Sequence, residues 1–220
     1  MSIKHHLSDA TLGAFTAGTQ MESISLVVAS HLSLCGVCQT RRNQLEYIGG
    51  IHLLQAPAAT MSNDFLQKTL LRLGKQEIAS SRTHASSNLQ VNVILPAPLR
   101  EFVPTELESI EWNSLAPGIK GHPLTGLNTG SGTLSLLKIA PGMSIPEHSH
   151  HGSELTLVLK GSFSDEIGQF GVGDIADLDD SMQHQPIADT SETCICLIAT
   201  DASLKFTGLM PRIVQYFTGL

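Results

Sequence analysis

Apolar residues recur at helical spacing in four short segments of the first ninety residues. Each segment has a capping or breaking residue near its ends. The predicted helices begin after Ser8, near Glu22, near Cys38 and after Ser62, and they end at Gly18, Leu34, Ile48 (before Gly49-Gly50) and Gly74. Four short helices joined by short loops are typical of a small bundle.

The pattern changes after Trp112, where short apolar runs alternate with Gly- and Pro-containing turns. The clearest predicted strands are Thr133–Ile139, Leu155–Leu159, Ile175–Leu178 and Thr193–Ala199. Strands at this spacing favour an all-β sandwich or barrel. The predicted fold is therefore α + β in two domains: a helical bundle followed by a β-barrel.

A polar, Ser-rich stretch separates the two patterns and suggests a linker. We accordingly expect a helical domain over residues 1–85, a linker over 86–95 and a β domain over 96–220. Charge follows the same division. Residues 1–90 hold seven Lys/Arg against five Asp/Glu, whereas the remainder holds six against fifteen. This asymmetry suggests two units with different partners.

Composition narrows the classes of function. The net charge is −7 and there is no basic stripe, which argues against direct nucleic-acid binding. No apolar run approaches the roughly twenty residues of a membrane span. The N-terminus lacks the charged-then-apolar pattern of a signal peptide. We expect a cytoplasmic protein without a membrane partner.

The helical half contains a possible metal site, His31-x3-Cys35-x2-Cys38. On one helix these positions share a face, so the three side chains can converge on a single ion. A closed tetrahedral zinc site needs a fourth ligand, which the pair His5-His6 can supply. A redox pair or two core thiols remain alternatives, since an isolated Cys-x-x-Cys is a weak signal.

A second possible site lies in the β half. His148 and His150 are two residues apart, so on a strand both imidazoles project from one face. Glu154 follows a short turn and opens an apolar run that we expect to form a hairpin with the His-x-His strand. Two imidazoles and a carboxylate suit zinc, iron or manganese.

The spacing from Gly142 to Gly161 around these three residues resembles the first signature of the cupin family at every position. That family's second signature matches in part and places His184 at the fourth ligand position. The departures from it are Asp179, Ser181 and Ala188, which replace Pro, Gly and Asn. The resemblance implies a jelly-roll barrel that holds Zn²⁺, or Fe²⁺, Mn²⁺ or Ni²⁺, through His148, His150, Glu154 and His184.

The motif of the helical half, with a histidine upstream, resembles the zinc-binding anti-sigma domain over about residues 1–85. This resemblance favours His6 as the fourth zinc ligand beside His31, Cys35 and Cys38, with His5 still open. The order of the two halves is more specific, because a zinc-type anti-sigma domain followed by one cupin resembles the ChrR family of anti-sigma factors over essentially the whole chain.

Membership of that family implies a regulator of transcription and no enzyme activity. The helical half would sequester an extracytoplasmic-function-type sigma factor. The cupin half, with its metal, would be needed to release that sigma factor in an oxidative stress response, such as one to singlet oxygen.

Three alternatives remain open. One is that the cupin half binds a small molecule as the signal and tunes sigma binding without chemistry. Oxidation of Cys35 or Cys38 with loss of zinc could be the switch. An enzymatic alternative is a dioxygenase-like cupin that acts on a small molecule, because an iron-loaded three-His, one-Glu site can activate dioxygen.

Overall fold

The computed structural model describes residues 2–73, 95–103, 107–146, 148–150, 152–202 and 204–206, with the backbone alone for residues 108, 148–150 and 204–206. The predicted linker over 86–95 lies outside the described residues except for its last position. Helices precede strands along the chain.

The first two helices match their predicted starts. In α1 (Asp9–Thr16), Ser8 is the N-cap, and its side chain accepts a hydrogen bond from the Thr11 N–H at 3.1 Å. Helix α2 (Glu22–Leu32) has most of its residues buried. It is the central helix of the N-terminal half.

The third helix is longer than predicted. Helix α3 (Gly36–Gln55) continues through Gly49-Gly50, so the predicted end at Ile48 was wrong. A glycine in an exposed helix interior costs about 1 kcal/mol relative to alanine but does not break backbone hydrogen bonding. The helix ends instead at Gln55, and its C-cap Ala56 has a ψ of 140°, the extended conformation that a following proline, Pro57, favours.

The fourth helix, α4 (Phe65–Leu73), is amphipathic, yet none of its residues is buried. The large apolar side chains exposed by the described residues are concentrated on α3, on α4 and between them. They are Val37, Tyr47, Ile48, Ile51, Leu53, Leu54, Met61, Phe65, Leu66, Leu70, Leu71 and Leu73, with Ile167 and Ile187 the exceptions elsewhere.

The described part of the β half forms one large sheet and two small ones. The strands of the described residues are β1 Asn113–Ala116, β2 Ile119–Pro123, β3 Thr133–Ile139, β4 His148–His150, β5 Glu154–Lys160, β6 Ser162–Ser164, β7 Gln169–Gly171, β8 Ile175–Leu178, β9 Gln183–His184, β10 Ile187–Ala188, β11 Cys194–Thr200 and β12 Leu204–Phe206. The large sheet has the order β1-β2-β3-β11-β5-β8, and the small sheets have the orders β10-β6-β7 and β12-β4-β9.

The expected hairpin between β4 and β5 is not formed. Strand β4 pairs with β9 and β12, whereas β5 pairs with β11 and β8. Between β4 and β5 the chain passes through Gly152, whose φ of 104° is accessible mainly to glycine, and it crosses there from one sheet to another. The His-x-His strand and Glu154 therefore belong to different sheets.

The large sheet is covered on both faces. Leu155, Leu157 and Leu159 of β5 lie in a cluster that also contains apolar residues of α1 and α2, such as Leu12 and Val27. Their neighbours along β5 alternate to the other face, where a second cluster includes residues of β6 and β7. Strand β5 is consequently buried along almost its whole length, and the helices share one core with the sheet.

Within the described residues, no single helix is long and apolar enough to cross a membrane. Helices α2 and α3 pass that test of length and composition only as a pair, bent by 120°.

Candidate metal centres

Three short segments of the helical half bring together His6, His31, Cys35 and Cys38. His6 lies in the extended segment before α1, and His31 is in the last turn of α2. Cys35 is the N-cap of α3, and Cys38 lies in its first turn. One potential ligand atom from each residue lies within 4.8 Å of all the others. His31, Cys35 and Cys38 are buried, and His6 is half-buried.

The four side chains converge without the single helix that their spacing suggested. Cys35 has φ −107° and ψ 103°, so it interrupts the helical backbone between α2 and α3. The bend turns the first turn of α3 back toward α2. As a result, His31 Nε2 lies 3.3 Å from Cys38 Sγ, and His6 Nδ1 lies 3.3 Å from Cys35 Sγ.

The histidine of α2 is positioned from outside the helical half. His31 Nδ1 lies 3.0 Å from the carbonyl oxygen of Gly173, between β7 and β8. Since a carbonyl only accepts, Nδ1 is the protonated nitrogen of the neutral ring, and Nε2 presents its lone pair to the thiols. Burial lowers the pKa of His31 from 6.5 to about 4, although the bond to Gly173 opposes this shift.

The two thiols complete a donor set that suits zinc. Burial raises the pKa of Cys38 to about 11, so without a cation this side chain is a neutral thiol near pH 7. A divalent ion would stabilise the thiolate. Two imidazoles and two thiols gathered around one point match the composition and the tetrahedral requirement of a structural zinc site.

The structure distinguishes the two neighbouring histidines. His5 Nε2 lies 3.1 Å from the carbonyl oxygen of Gln169, and the His5 ring packs against Phe170 with centroids 4.1 Å apart. His6 faces Cys35 instead. The cluster therefore contains His6, while His5 packs on the β half.

The second set of predicted ligands is assembled across two sheets. Glu154 at the start of β5 and His184 in β9 are each 1% exposed, and Glu154 Oε1 lies 3.7 Å from His184 Nε2. The backbone of β4 runs beside β9, with His148 directly opposite His184 in the antiparallel register. The structure thus brings two of the four predicted side chains together and places the strand of His148 and His150 beside them.

An aspartate that the sequence reasoning missed supports this second set. Asp165, after β6, has Oδ2 3.1 Å from His184 Nδ1. Its other oxygen accepts hydrogen bonds from the backbone N–H groups of Ile167 and Gly168. Burial raises the pKa of Asp165, but the hydrogen bond with His184 and those from the two backbone N–H groups together outweigh it, and the net shift is downward. An ionised Asp165 orients His184 so that Nε2 faces Glu154.

These features define a class of protein: a helical half with a closed His/Cys cluster, packed on a strand-rich half with a buried His/carboxylate pair. Residues 101–203 match the family described as the ChrR Cupin-like domain. The predicted fold class, helical bundle plus cupin-like half, is confirmed.

Two relatives identify the family more closely. The chain is 40% identical over 218 residues to the anti-sigma-E factor ChrR of Cereibacter sphaeroides, which covers 99% of each chain. It also resembles a chain in the crystal structure of Rhodobacter sphaeroides SigE in complex with the anti-sigma ChrR. That match has a TM-score of 0.74 and 37% identity, and it covers 90% of this chain and 99% of that one. The chain belongs to the ChrR family of anti-sigma factors, as its motifs predicted.

Proposed function

We propose that this chain is an anti-sigma factor whose helical half, residues 1–85, binds a sigma factor of the extracytoplasmic-function type and sequesters it in the cytoplasm. The observation that carries the proposal is the exposed apolar surface of α3 and α4. The similar chain in the complex with SigE supports a sigma factor as the partner that binds this surface.

The exposed surface has the character of an interface. On α4, Leu66, Leu70 and Leu73 follow one another at helical spacing and are 69%, 58% and 59% exposed. Leu53 and Leu54 at the end of α3 are 77% and 88% exposed. Exposed apolar side chains concentrated in this way are uncommon on proteins without a partner and mark interaction sites.

Binding of an extracytoplasmic-function-type sigma factor to the full chain tests the proposal. Leu70→Glu places a charge in the proposed interface and should weaken binding about thirtyfold or more, the effect of losing an interface hot spot. Ile187→Glu is the matched control, because Ile187 is also an exposed apolar residue, at 46%, but lies in the β half. Equal affinity of the two variants for the sigma factor would contradict the proposed surface.

We propose further that His6, His31, Cys35 and Cys38 hold Zn²⁺ in a structural site. The ion would add folding energy to that of the core which the helices share with the sheet. Because the ligands lie on both sides of the bend between α2 and α3, the ion would also fix the direction of α3 and the apolar surface that α3 carries.

For the cupin half, over residues 96–220, we propose a second metal held by His148, His150, Glu154 and His184. The support is the contact between Glu154 and His184 and the register of β4 against β9. Imidazole and carboxylate donors suit Zn²⁺, Fe²⁺, Mn²⁺ or Ni²⁺. A change at this site on an oxidative signal, such as singlet oxygen, would release the sigma factor by favouring a state with lower affinity for it.

Alanine at both His148 and His150 should leave binding of the sigma factor intact but abolish its release by oxidant. The readout is the fraction of sigma factor recovered from the complex before and after exposure to singlet oxygen. Normal release from the double variant would exclude the cupin metal as the sensor. Consumption of dioxygen by the iron-loaded wild-type chain with a small substrate would instead favour the enzymatic alternative.

A further inference from the structure

One turn of the β half contacts both segments that carry the histidines of the helical cluster. The turn joins β7 to β8 and includes Gly173 and Asp174. The Gly173 carbonyl is hydrogen-bonded to His31, as described above. Asp174 Oδ1 accepts hydrogen bonds from the backbone N–H groups of Lys4 at 2.6 Å and His5 at 3.0 Å. His6 follows these two residues directly.

The Asp174 carboxylate is built into this turn. Asp174 is 3% exposed, and its Oδ2 accepts the Gly171 N–H at 2.9 Å. A buried carboxylate is stable only where several donors replace its water, and the N-terminal segment supplies two of the three. The turn itself is anchored to β5, because the Gly173 N–H donates to the Val158 carbonyl at 2.9 Å.

We propose that this turn is the outer shell of the helical metal centre, and that Asp174 is a positioning residue for His6. The inference rests on the proposed zinc site. Gly173 fixes the ring and tautomer of His31, while Asp174 fixes the peptide that precedes His6. Two of the four ligands are thus oriented by the cupin half, and zinc retention depends on contact between the halves.

Asp174→Asn tests the role of the carboxylate in the full, zinc-loaded chain. The amide has nearly the same size as the carboxylate. Its single oxygen can accept either from the Gly171 N–H or from the N–H groups of Lys4 and His5, and its NH₂ group, itself a donor, then faces the remaining N–H donors. We expect zinc transfer to a chromophoric chelator about ten times faster than in wild type, the lower end of outer-shell effects on metal sites. Asp189→Asn is the matched control, since Asp189 contacts Ser162 and Gln169 within the β half.

A spectroscopic readout separates positioning from general destabilisation. With Co²⁺ in place of zinc, the ligand-field bands report the donors and their geometry. These bands should change in Asp174→Asn and stay as in wild type in Asp189→Asn. Unchanged bands together with chelator transfer within twofold of the Asp189→Asn control would overturn the inference.

Deletion of residues 2–5 is a second, independent variant, which removes the two donors of the N-terminal segment to Asp174 and leaves His6. It should accelerate zinc transfer as Asp174→Asn does. A chain with both changes should transfer zinc little faster than a chain with either one. If the two effects on the transfer rate were fully additive, the inference would be overturned. A wild-type chain that binds no zinc would overturn the proposed metal centre itself, a result distinguishable from failure of Asp174 alone.

Discussion

The two candidate metal centres are built in opposite ways. The helical cluster draws its donors from residues 6–38, and one ligand atom from each lies within 4.8 Å of the others. The cupin set depends on pairing between strands and on two different sheets, with Glu154 and His184 as its described side chains. One site uses thiols and the other a carboxylate. The first donor set suits a closed structural zinc site, and the second suits an exchangeable or reactive metal.

The largest expected effect comes from removing one donor at each centre. Cys38→Ser should abolish zinc binding by the helical cluster and lower the helicity of α3, since a structural zinc site contributes folding energy. Helices α1 and α2 should stay packed on the core that they share with the sheet. Glu154→Gln should lower only the second metal content and leave the helices intact. Metal analysis and far-ultraviolet circular dichroism compare the two. A Cys38→Ser chain with wild-type zinc content and helicity would refute the assignment.

Removing the metal should reveal a pH dependence of stability between pH 4 and 6.5 that comes from His31 of the helical cluster. In the metal-free chain the pKa of His31 is about 4 when folded and about 6.5 when unfolded. Between these values the unfolded state binds more protons, so stability is present above pH 6.5 and is lost as the pH falls to 4. The loss is about 3 kcal/mol.

Urea unfolding of the metal-free chain at several pH values measures this loss. Metal-free His31→Gln is the control, and its free energy of unfolding should vary much less over the same window. The lowered pKa of Asp165 acts in the same direction but only at lower pH. Parallel curves for wild type and His31→Gln would show that the neutral imidazole is not the cause.

The smallest expected effect is the alkylation of the two cysteines of the large sheet. Cys194 and Cys196 are buried, with their sulfurs 3.4 Å apart. The hydrogen bond to Cys194, together with burial, raises the pKa of Cys196. Iodoacetamide at pH 8 should leave both unmodified in the native chain. After chelation, Cys35 and Cys38 should react first, as the helices open. Mass analysis of peptides reports the order, and equal rates for both pairs would show that the sheet opens with the helices.

The spacing of residues along the chain predicted most helices, most strands and the helical cluster. The features that it missed depend on contacts between segments that are distant in the sequence. His31, Cys35 and Cys38 follow a short motif, so the cluster was predictable, although the break at Cys35 was not. The pairing of β4 with β9 could not be predicted, because the spacing of residues does not specify which strands become neighbours. Asp165 lies 19 residues from His184 along the chain, and no motif joins them.

The role of the turn at Gly173 and Asp174 was also beyond sequence reasoning. Gly173 and His31 are 142 residues apart, and Asp174 and Lys4 are 170 apart. Such contacts arise only once the helices have packed on the sheet. The sequence suggested a flexible connection between two units, whereas the described residues show a shared core.

The leucines of β5 set a limit on how the protein can respond. Leu155, Leu157 and Leu159 are fully buried in the core shared with the helices. Lifting the helices away would expose all three to water at roughly 1.5–3 kcal/mol each, a total comparable with the whole stability of a small domain. A signalling event that leaves the fold intact must therefore slide or tilt the helices over this leucine row, or provide another apolar surface to cover it.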